Sequence, residues 1–138
     1  MDILYEIDYW INEAQNDLHC FPDEAAVEQV RNIFRSFAVN NQLLYYIPEG
    51  RKGIMVYCIV PDFTGGMTVS ELFMYIKAEH RGSIRLFKEL VEHLEQVAKE
   101  NNCKSVRIAS NIGYNDKKVL RCLQHFGYDT DVVVKYMR

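Results

Sequence analysis

The pattern of apolar and polar residues predicts two helices at the start of the chain. Apolar residues recur at steps of three and four between residues 3 and 18, with acids and amides between them, as on an amphipathic helix. A short strand at Ile3-Leu4-Tyr5 is the alternative for the first few residues. "FPDEAAVEQVRNIFRSF" repeats the helical period, and its proline and acids suit a helix start, which predicts a second helix over 22–38.

The middle of the chain has the pattern of strands. "QLLYYIPEGRKGIMVYCIVP" holds two runs of β-branched and aromatic residues around a turn with proline and glycine, which predicts a hairpin with strands near 42–47 and 53–60. "DFTGGMTVS" is interpreted as a flexible connection, and "ELFMYIK" as a third strand. This third strand is apolar on both faces, so we expect it to be central and covered on both sides.

The most regular helical pattern follows, from Ser83 to about Asn101, with its polar side predicted to carry His93 as an exposed residue. "KSVRIAS" then predicts a fourth strand, and "NDKKVLRCLQHF" a helix that ends at Gly127. "DVVVKYM" predicts a last strand. Because no repeat, low-complexity segment or linker interrupts this order, we expect one α/β (α+β) domain over 1–138.

Composition and charge exclude several classes of protein. A net charge of -3 over 138 residues gives no general field for nucleic acid or an anionic membrane surface. No apolar run approaches the roughly 18 residues that suggest a transmembrane helix, and acids occupy the N-terminus where a signal peptide has bases. The sequence therefore predicts a cytoplasmic protein. Its four cysteines lack the spacing of a zinc site, which predicts reduced thiols and no metal.

The segment "AEHRGSIRLFKEL" has two interpretations. In the first, Ser83 is an ordinary N-cap and the arginines are solvated. In the second, the unpaired N–H groups of the helix start bind phosphate, Gly82 lets a ligand approach the backbone, and Arg81 and Arg85 add charge. The segment alone leaves both open. Neither a P-loop motif nor a G-x-G-x-x-G motif is present, which argues against those two nucleotide sites.

The neighbouring segments add a resemblance to a known family. "ELFMYIKAEHRGSIRLFKEL" and the following "HFGY" resemble the acyl-CoA-binding half of the GNAT superfamily of N-acetyltransferases. In that family a strand leads into a loop of the form R/Q-x-x-G-x-G/A, which binds the CoA pyrophosphate through backbone N–H groups. Arg81 and Gly82 lie at the start of that loop, and Gly127 lies where a later helix of the family ends before an aromatic residue.

The resemblance extends in element order over 42–138 and is most specific over 71–128, which it implies is the acyl-CoA-binding core. It implies a single-domain GNAT-like fold with a mixed, mostly antiparallel central sheet flanked by about four helices. Residues 3–38 would form the helices on the acceptor side. The acceptor itself would lie among these helices and the connection "PDFTGGMTVS".

The resemblance also implies which residues bind the acyl-CoA. The backbone groups of Met74 and Ile76 would pair with the pantetheine arm as an added strand does. Asn115, at the start of the later helix, would either touch the pantetheine or act only as an N-cap. The pyrophosphate would be surrounded by five consecutive residues: Arg81, Gly82, Ser83, Ile84 and Arg85. Ile84 and Leu86 stand at positions that are small in the family, so we expect the phosphate to approach the backbone less closely there.

Two residues are implied in catalysis. Glu71 lies where family members place a glutamate that removes the proton of the attacking amine, directly or through water, although a β-bulge is required to align it. The alternative for Glu71 is a solvated acid at the end of the strand. Leu123 stands where many members have the tyrosine that protonates the leaving thiolate. The resemblance therefore leaves Tyr128, or else Tyr114, as the general acid.

Three functions follow as hypotheses. The first is an acetyl-CoA-dependent N-acetyltransferase, with acetyl-CoA as co-substrate and no metal, acting on a small-molecule amine or a protein amino group by direct attack in a ternary complex. The second is a GNAT-like protein with weak or no catalysis that acts through CoA binding or protein contacts. The third, a nucleic-acid-binding regulator using Arg31 and Arg35, is opposed by the net charge. The sequence does not choose between a monomer and a homodimer.

Overall fold

A computed structural model, which describes residues 2–108 and 116–129, confirms the predicted order of the elements in those ranges. The predicted last strand, Asn115 and Tyr114 lie outside the described residues. The elements are α1 (Ile3–Leu18), α2 (Glu24–Val39), β1 (Leu44–Tyr46), β2 (Gly53–Pro61), β3 (Met67–Ile76), a 3₁₀ turn (Ala78–His80), α3 (Ile84–Glu100), β4 (Ser105–Arg107) and α4 (Asp116–His125).

Side-chain caps decide where the first helices begin. The Asp2 carboxylate accepts a hydrogen bond from the Leu4 amide at 3.0 Å, so α1 begins at Ile3 and the alternative of a strand there is wrong. The Asp23 carboxylate accepts from the Ala26 amide at 2.8 Å, which starts α2 two residues later than predicted.

The sheet has the order β1-β2-β3-β4, with antiparallel pairing from β1 to β3 and parallel pairing between β3 and β4. This confirms the predicted hairpin and the mixed, mostly antiparallel sheet. β3 begins at Met67, so the prediction that all of "DFTGGMTVS" is a flexible connection is wrong. Its last residues pair with β2 and β4, and the Thr68 hydroxyl donates to the Ser105 carbonyl at 3.1 Å.

Both faces of the sheet are covered, as predicted for the third strand. α1 and α2 pack on one face, where Trp10, Phe34, Phe73 and Tyr75 belong to one buried cluster. α3 and α4 pack on the other face, where a second cluster includes Met55, Val69, Met74, Leu90 and Leu123. In the described ranges, no helix is long and apolar enough to span a membrane.

His93 on α3 is not the exposed residue that the helical pattern predicts. Its ring stacks on Tyr46 with 4.2 Å between the ring centroids, and its Nε2 lies 2.9 Å from the Tyr57 hydroxyl. Burial lowers the pKa of His93. The prediction was wrong because β1 and β2 cover this part of α3, which a helical period cannot indicate.

Candidate functional site

The second half of β3 has backbone groups that the sheet does not use. Among the described residues, β4 pairs with β3 only over 68–70, and the rest of β3 pairs with β2 alone. The Lys77 amide donates to the Lys52 carbonyl at 2.9 Å, so Lys77 belongs to a hydrogen-bonded pair with Lys52, next to β2. Hydrogen-bonded and non-hydrogen-bonded pairs alternate along an antiparallel ladder. The backbone groups of Met74 and Ile76 therefore face away from β2, where an extended ligand could pair with them.

Glu71 lies at a β-bulge. Val56 pairs with Phe73, whereas Tyr57 pairs with Glu71, so Leu72 is an extra residue on β3. The bulge that the resemblance requires is thus present. Glu71 is buried, with 8 % of its surface exposed.

The turn before α3 combines a glycine at positive φ with a helix cap. Gly82 has a φ of +90°, a conformation that residues with a side chain rarely adopt. The Ser83 hydroxyl accepts from the Leu86 amide at 3.3 Å, which confirms the predicted N-cap. The amides of Ile84 and Arg85 have no acceptor in the parts of the chain that the structure describes, so an anion there would meet unpaired N–H groups.

A cavity of about 320 Å³ opens at this helix start, between the end of β3, the first turn of α3 and the first half of α4. Five residues that the sequence predicts to bind the acyl-CoA line this cavity: Ile76, Arg81, Gly82, Ser83 and Ile84. Ile84 is 58 % exposed, so its side chain borders the cavity at the surface. The other lining residues, which the sequence reasoning missed, are Phe87, Lys118, Val119 and Cys122.

The sequence contains a pattern that could have indicated that α4 forms one wall of this cavity. Val119 and Cys122 are three residues apart and share one face of the helix, which could have indicated a wall of the site. Lys117 and Lys118 occupy the first turn, where the helix dipole disfavours cations unless an anion is near. Arg85, which was predicted to surround the pyrophosphate, is exposed and does not line this cavity.

Arg81 ties the loop to the C-terminal end of α1. Its Nη2 donates to the Asp17 carboxylate, its Nε donates to the Ile76 carbonyl at 3.1 Å, and its Cζ lies 5.6 Å from the centre of the Tyr75 ring. The Tyr75 hydroxyl donates to the same carboxylate at 2.7 Å. The hydrogen bonds from Arg81 and then Tyr75 lower the pKa of Asp17 below its ordinary value. Burial, and then the bond to Asp17, raise the pKa of Tyr75.

Replacing Asp17 with asparagine is expected to lower the free energy of unfolding at pH 7 by about 1 kcal/mol, because the pair is partly solvated. The folded-state pKa of Asp17 is depressed, so its contribution is present above its ordinary pKa of 3.8 and is lost as the pH falls through the folded-state value. Urea denaturation from pH 7 to pH 3 measures this. Glu49→Gln removes an exposed acid as the control, and a wild-type advantage over Asp17→Asn that persists unchanged at pH 3 would contradict the assignment.

A larger cavity of about 960 Å³ brings together the two candidate catalytic residues. Glu71 and Tyr128 both line it, with Asp62 and Thr64 from the connection before β3 and Glu95 from α3. The Tyr128 hydroxyl donates to the Glu95 carboxylate at 2.9 Å. Burial, and then this hydrogen bond, raise the pKa of Tyr128.

Three further observations concern residues named in the predictions. Leu123, at the position of the family tyrosine, is buried in the core with 3 % of its surface exposed. In the described ranges, no group of three or more histidine, cysteine or acidic residues could hold a metal ion. All four cysteines are free, and Cys58 is the buried one.

Comparisons with known proteins rest on structure. No protein-family model matches the sequence, and no curated protein matches it either. A predicted acetyltransferase from Clostridium acetobutylicum, solved with acetyl-CoA, is similar with a TM-score of 0.74 at 18% identity, over 99% of this chain and 92% of that one. AAC(6')-Iy, in complex with the bisubstrate analogue CoA-S-monomethyl-acetylneamine, is similar with a TM-score of 0.65 at 13% identity, over 97% and 92%.

A third similar structure has a different described role. The transcriptional regulator from Bacillus halodurans C-125 has a TM-score of 0.64 at 13% identity, over 92% of this chain and 93% of that one. At such identities a structural likeness establishes the fold and not the activity. The element order, the mixed sheet and these neighbours agree with the resemblance in the sequence: this chain has the fold of the GNAT N-acetyltransferases.

Proposed function

We propose that this protein is an acetyl-CoA-dependent N-acetyltransferase that transfers the acetyl group to a primary amine of a small molecule or a protein. The observation that carries the proposal is that the open edge of β3 leads to the cavity at the start of α3. The backbone groups of Met74 and the amide of Ile76, which the described part of the sheet does not use, lead toward the cavity at the first turn of α3, which Ile76 also lines. A strand edge suits the amide-rich pantetheine arm, and a helix start suits the diphosphate.

Glu71 would act as the general base. An amine near pKa 10 is protonated at neutral pH and must lose a proton before its nitrogen can attack the thioester carbonyl. The C–N bond then forms, the C–S bond breaks, and the amine proton passes to Glu71 directly or through water. Burial of Glu71 at the bulge in β3, on the wall of the larger cavity, supports this role.

Tyr128 would supply a proton to the departing thiolate. Because its pKa is raised, the phenol stays protonated at neutral pH, but it is a weaker acid than an ordinary tyrosine. A CoA thiolate is a tolerable leaving group in contact with water, so we assign Tyr128 a smaller share of the rate than Glu71. Its position on the same cavity as Glu71 supports the assignment.

The larger cavity is the proposed place for the acceptor. Asp62 and Thr64 belong to the connection that the sequence predicted as part of the acceptor side, and they share the cavity with Glu71. The helices of residues 3–38 pack against the opposite face of the sheet from α3. Their proposed part in the acceptor side is indirect, through the contact of Asp17 with Arg81.

Isothermal calorimetry and thermal shift with acetyl-CoA test the proposal. We expect a Kd below about 100 μM, which is a binding free energy of at least about 5.5 kcal/mol, because a diphosphate contact and an added-strand contact would act together. ATP, which has phosphates but no pantetheine arm, is the control and is expected to bind more weakly. No binding of acetyl-CoA at millimolar concentration rejects the enzyme hypothesis. Release of free thiol with a panel of amines then tests the transfer itself.

A non-catalytic CoA-binding protein is the second candidate. One observation favours it: Leu123 is buried in the core where the family has its tyrosine. Acetyl-CoA binding without thiol release from any amine would support this candidate. For a nucleic-acid-binding regulator the proposed arginines offer no support, because Arg31 pairs with Asp8, Glu24 and Glu28, and Arg35 pairs with Glu28.

A further inference from the structure

The turn between β2 and β3 carries an aromatic ring that the fold does not bury. Phe63 has a relative exposure of 108 %, so nothing in the described part of the chain covers its ring. Single exposed apolar side chains are common on protein surfaces. This one stands between Asp62 and Thr64, which both line the larger cavity, so Phe63 lies at the rim of the proposed acceptor site.

Hydrogen bonds hold this turn in one shape. The Asp62 amide donates to the Gly66 carbonyl at 2.8 Å, which closes the turn. The Asp62 side chain is 3 % exposed, and its carboxylate accepts from the Thr64 amide at 3.2 Å and from the Arg107 guanidinium on β4 at 3.0 Å. Both neighbours of Phe63 are therefore fixed. A side chain on a fixed backbone loses less freedom when a ligand covers it than one on a mobile loop.

Strand geometry gives the distance from this turn to Glu71. Met67, the first residue of β3, pairs with Pro61 at the base of the turn, and Glu71 is four residues further along β3. At about 3.3 Å per residue, Glu71 is about 13 Å from the base of the turn. Glu71 and Thr64 line one cavity of about 960 Å³, near the upper limit of about 1,000 Å³ for small-molecule sites. An acceptor with its amine at Glu71 must therefore extend over about four residues of peptide length before it reaches Phe63.

We propose that the acceptor is a polypeptide: its amino group lies at Glu71, and an apolar side chain about four to six residues away packs on Phe63. This inference rests on the proposed function and narrows the acceptor to one class. Thr64 and Ser70 line the same cavity, and their hydroxyls can hydrogen-bond the backbone of such an acceptor. Covering the exposed ring with an apolar side chain removes apolar surface of both partners from water, which favours binding.

Phe63→Ser is the main test, with acceptor peptides of about ten residues that each carry one amine. The amine is the free N-terminus, or the side chain of a first-position lysine in an N-terminally blocked peptide. Phenylalanine or serine occupies a position about four to six residues away. Wild-type protein is expected to have a KM about 10-fold lower for the phenylalanine peptides than for the serine peptides. Phe63→Ser is expected to abolish this preference with kcat unchanged, because the ring contact is remote from the reacting atoms.

Two variants and one short acceptor are the controls. Phe63→Leu keeps an apolar side chain and is expected to stay within about 3-fold of the wild-type KM. Tyr5→Ser removes an exposed ring from α1, on the opposite face of the sheet from α3, and is expected to leave every KM unchanged. Glycinamide has an amine but is too short to reach Phe63, so Phe63→Ser is expected to acetylate it as wild type does.

The outcomes separate the inference from the proposed function. Acetylation of small amines but of no peptide, no wild-type preference for phenylalanine over serine, or equal effects of Phe63→Ser and Tyr5→Ser would overturn the inference and leave the proposed function intact. If wild-type protein binds no acetyl-CoA, or releases thiol with no amine, the proposed function fails and the inference fails with it.

Discussion

Replacing Glu71 with glutamine is expected to lower kcat for acetyl transfer by about 100-fold or more at pH 7, with the Kd for acetyl-CoA unchanged. Glutamine keeps the shape of the buried side chain but cannot accept a proton, and a positioned general base contributes about 10²- to 10⁴-fold. Thiol release under saturating acetyl-CoA measures kcat, and calorimetry measures Kd. The effect is large because an amine near pKa 10 is almost wholly protonated at pH 7.

The pH dependence identifies the role of Glu71 more sharply than the rate at one pH. As the pH approaches the pKa of the acceptor amine, the amine loses its proton to water and the defect of Glu71→Gln is expected to shrink. Glu92→Gln, an exposed residue of α3 in a solvated pair with Lys88, is the control and is expected to keep full activity. A fully active Glu71→Gln enzyme, or a defect constant from pH 7 to pH 10, would show that the base lies elsewhere.

Replacing Gly82 with valine is expected to weaken acetyl-CoA binding by about 30-fold, the equivalent of about 2 kcal/mol of lost contacts between backbone amides and phosphate. Apart from its chain neighbours, a Cβ atom at Gly82 would meet no protein atom within 4 Å, so the added side chain would begin in open space. It would instead occupy the space through which a phosphate approaches the amides of Ile84 and Arg85.

Backbone strain needs its own control, because a φ of +90° at Gly82 strains any other residue. Gly50 has a φ of +81° in the turn between β1 and β2 and lines neither cavity. Gly50→Val is expected to lose about as much thermal stability as Gly82→Val and to keep the wild-type affinity for acetyl-CoA. If folded Gly82→Val binds as tightly as wild type, the loop is not the phosphate site.

Local patterns predicted most of the fold because their causes are local. Helix caps act over two or three residues, as Ser83 does on the Leu86 amide, so a short stretch of sequence contains both partners. The period of α3 and the run of β-branched and aromatic residues in β2 are likewise visible among neighbours along the chain. The bulge at Glu71 was predictable only in part. The spacing of Glu71 and Ile76 in the sequence required an extra residue in β3, but only the pairing with β2 shows where it lies.

The predictions that were wrong, on the start of β3 and the exposure of His93, concern contacts between residues that are distant in the sequence. β3 begins at Met67, earlier than predicted, because Thr68 pairs with Ser105, which is 37 residues away. His93 is half-buried because β1 and β2 lie over α3. A period within one segment indicates which face is apolar, but it does not indicate which other elements cover the polar face.

The sequence by itself determined the kinds and order of the elements, the helix start at Ser83 and the resemblance that pointed to residues 71–128. Only the tertiary structure decided that Arg81 is held by Asp17, 64 residues away, and that Lys118 of α4 borders the same cavity as Gly82. The physical reason is that propensity and capping act between near neighbours. The charge facing a ligand depends instead on how separate helices pack around a sheet.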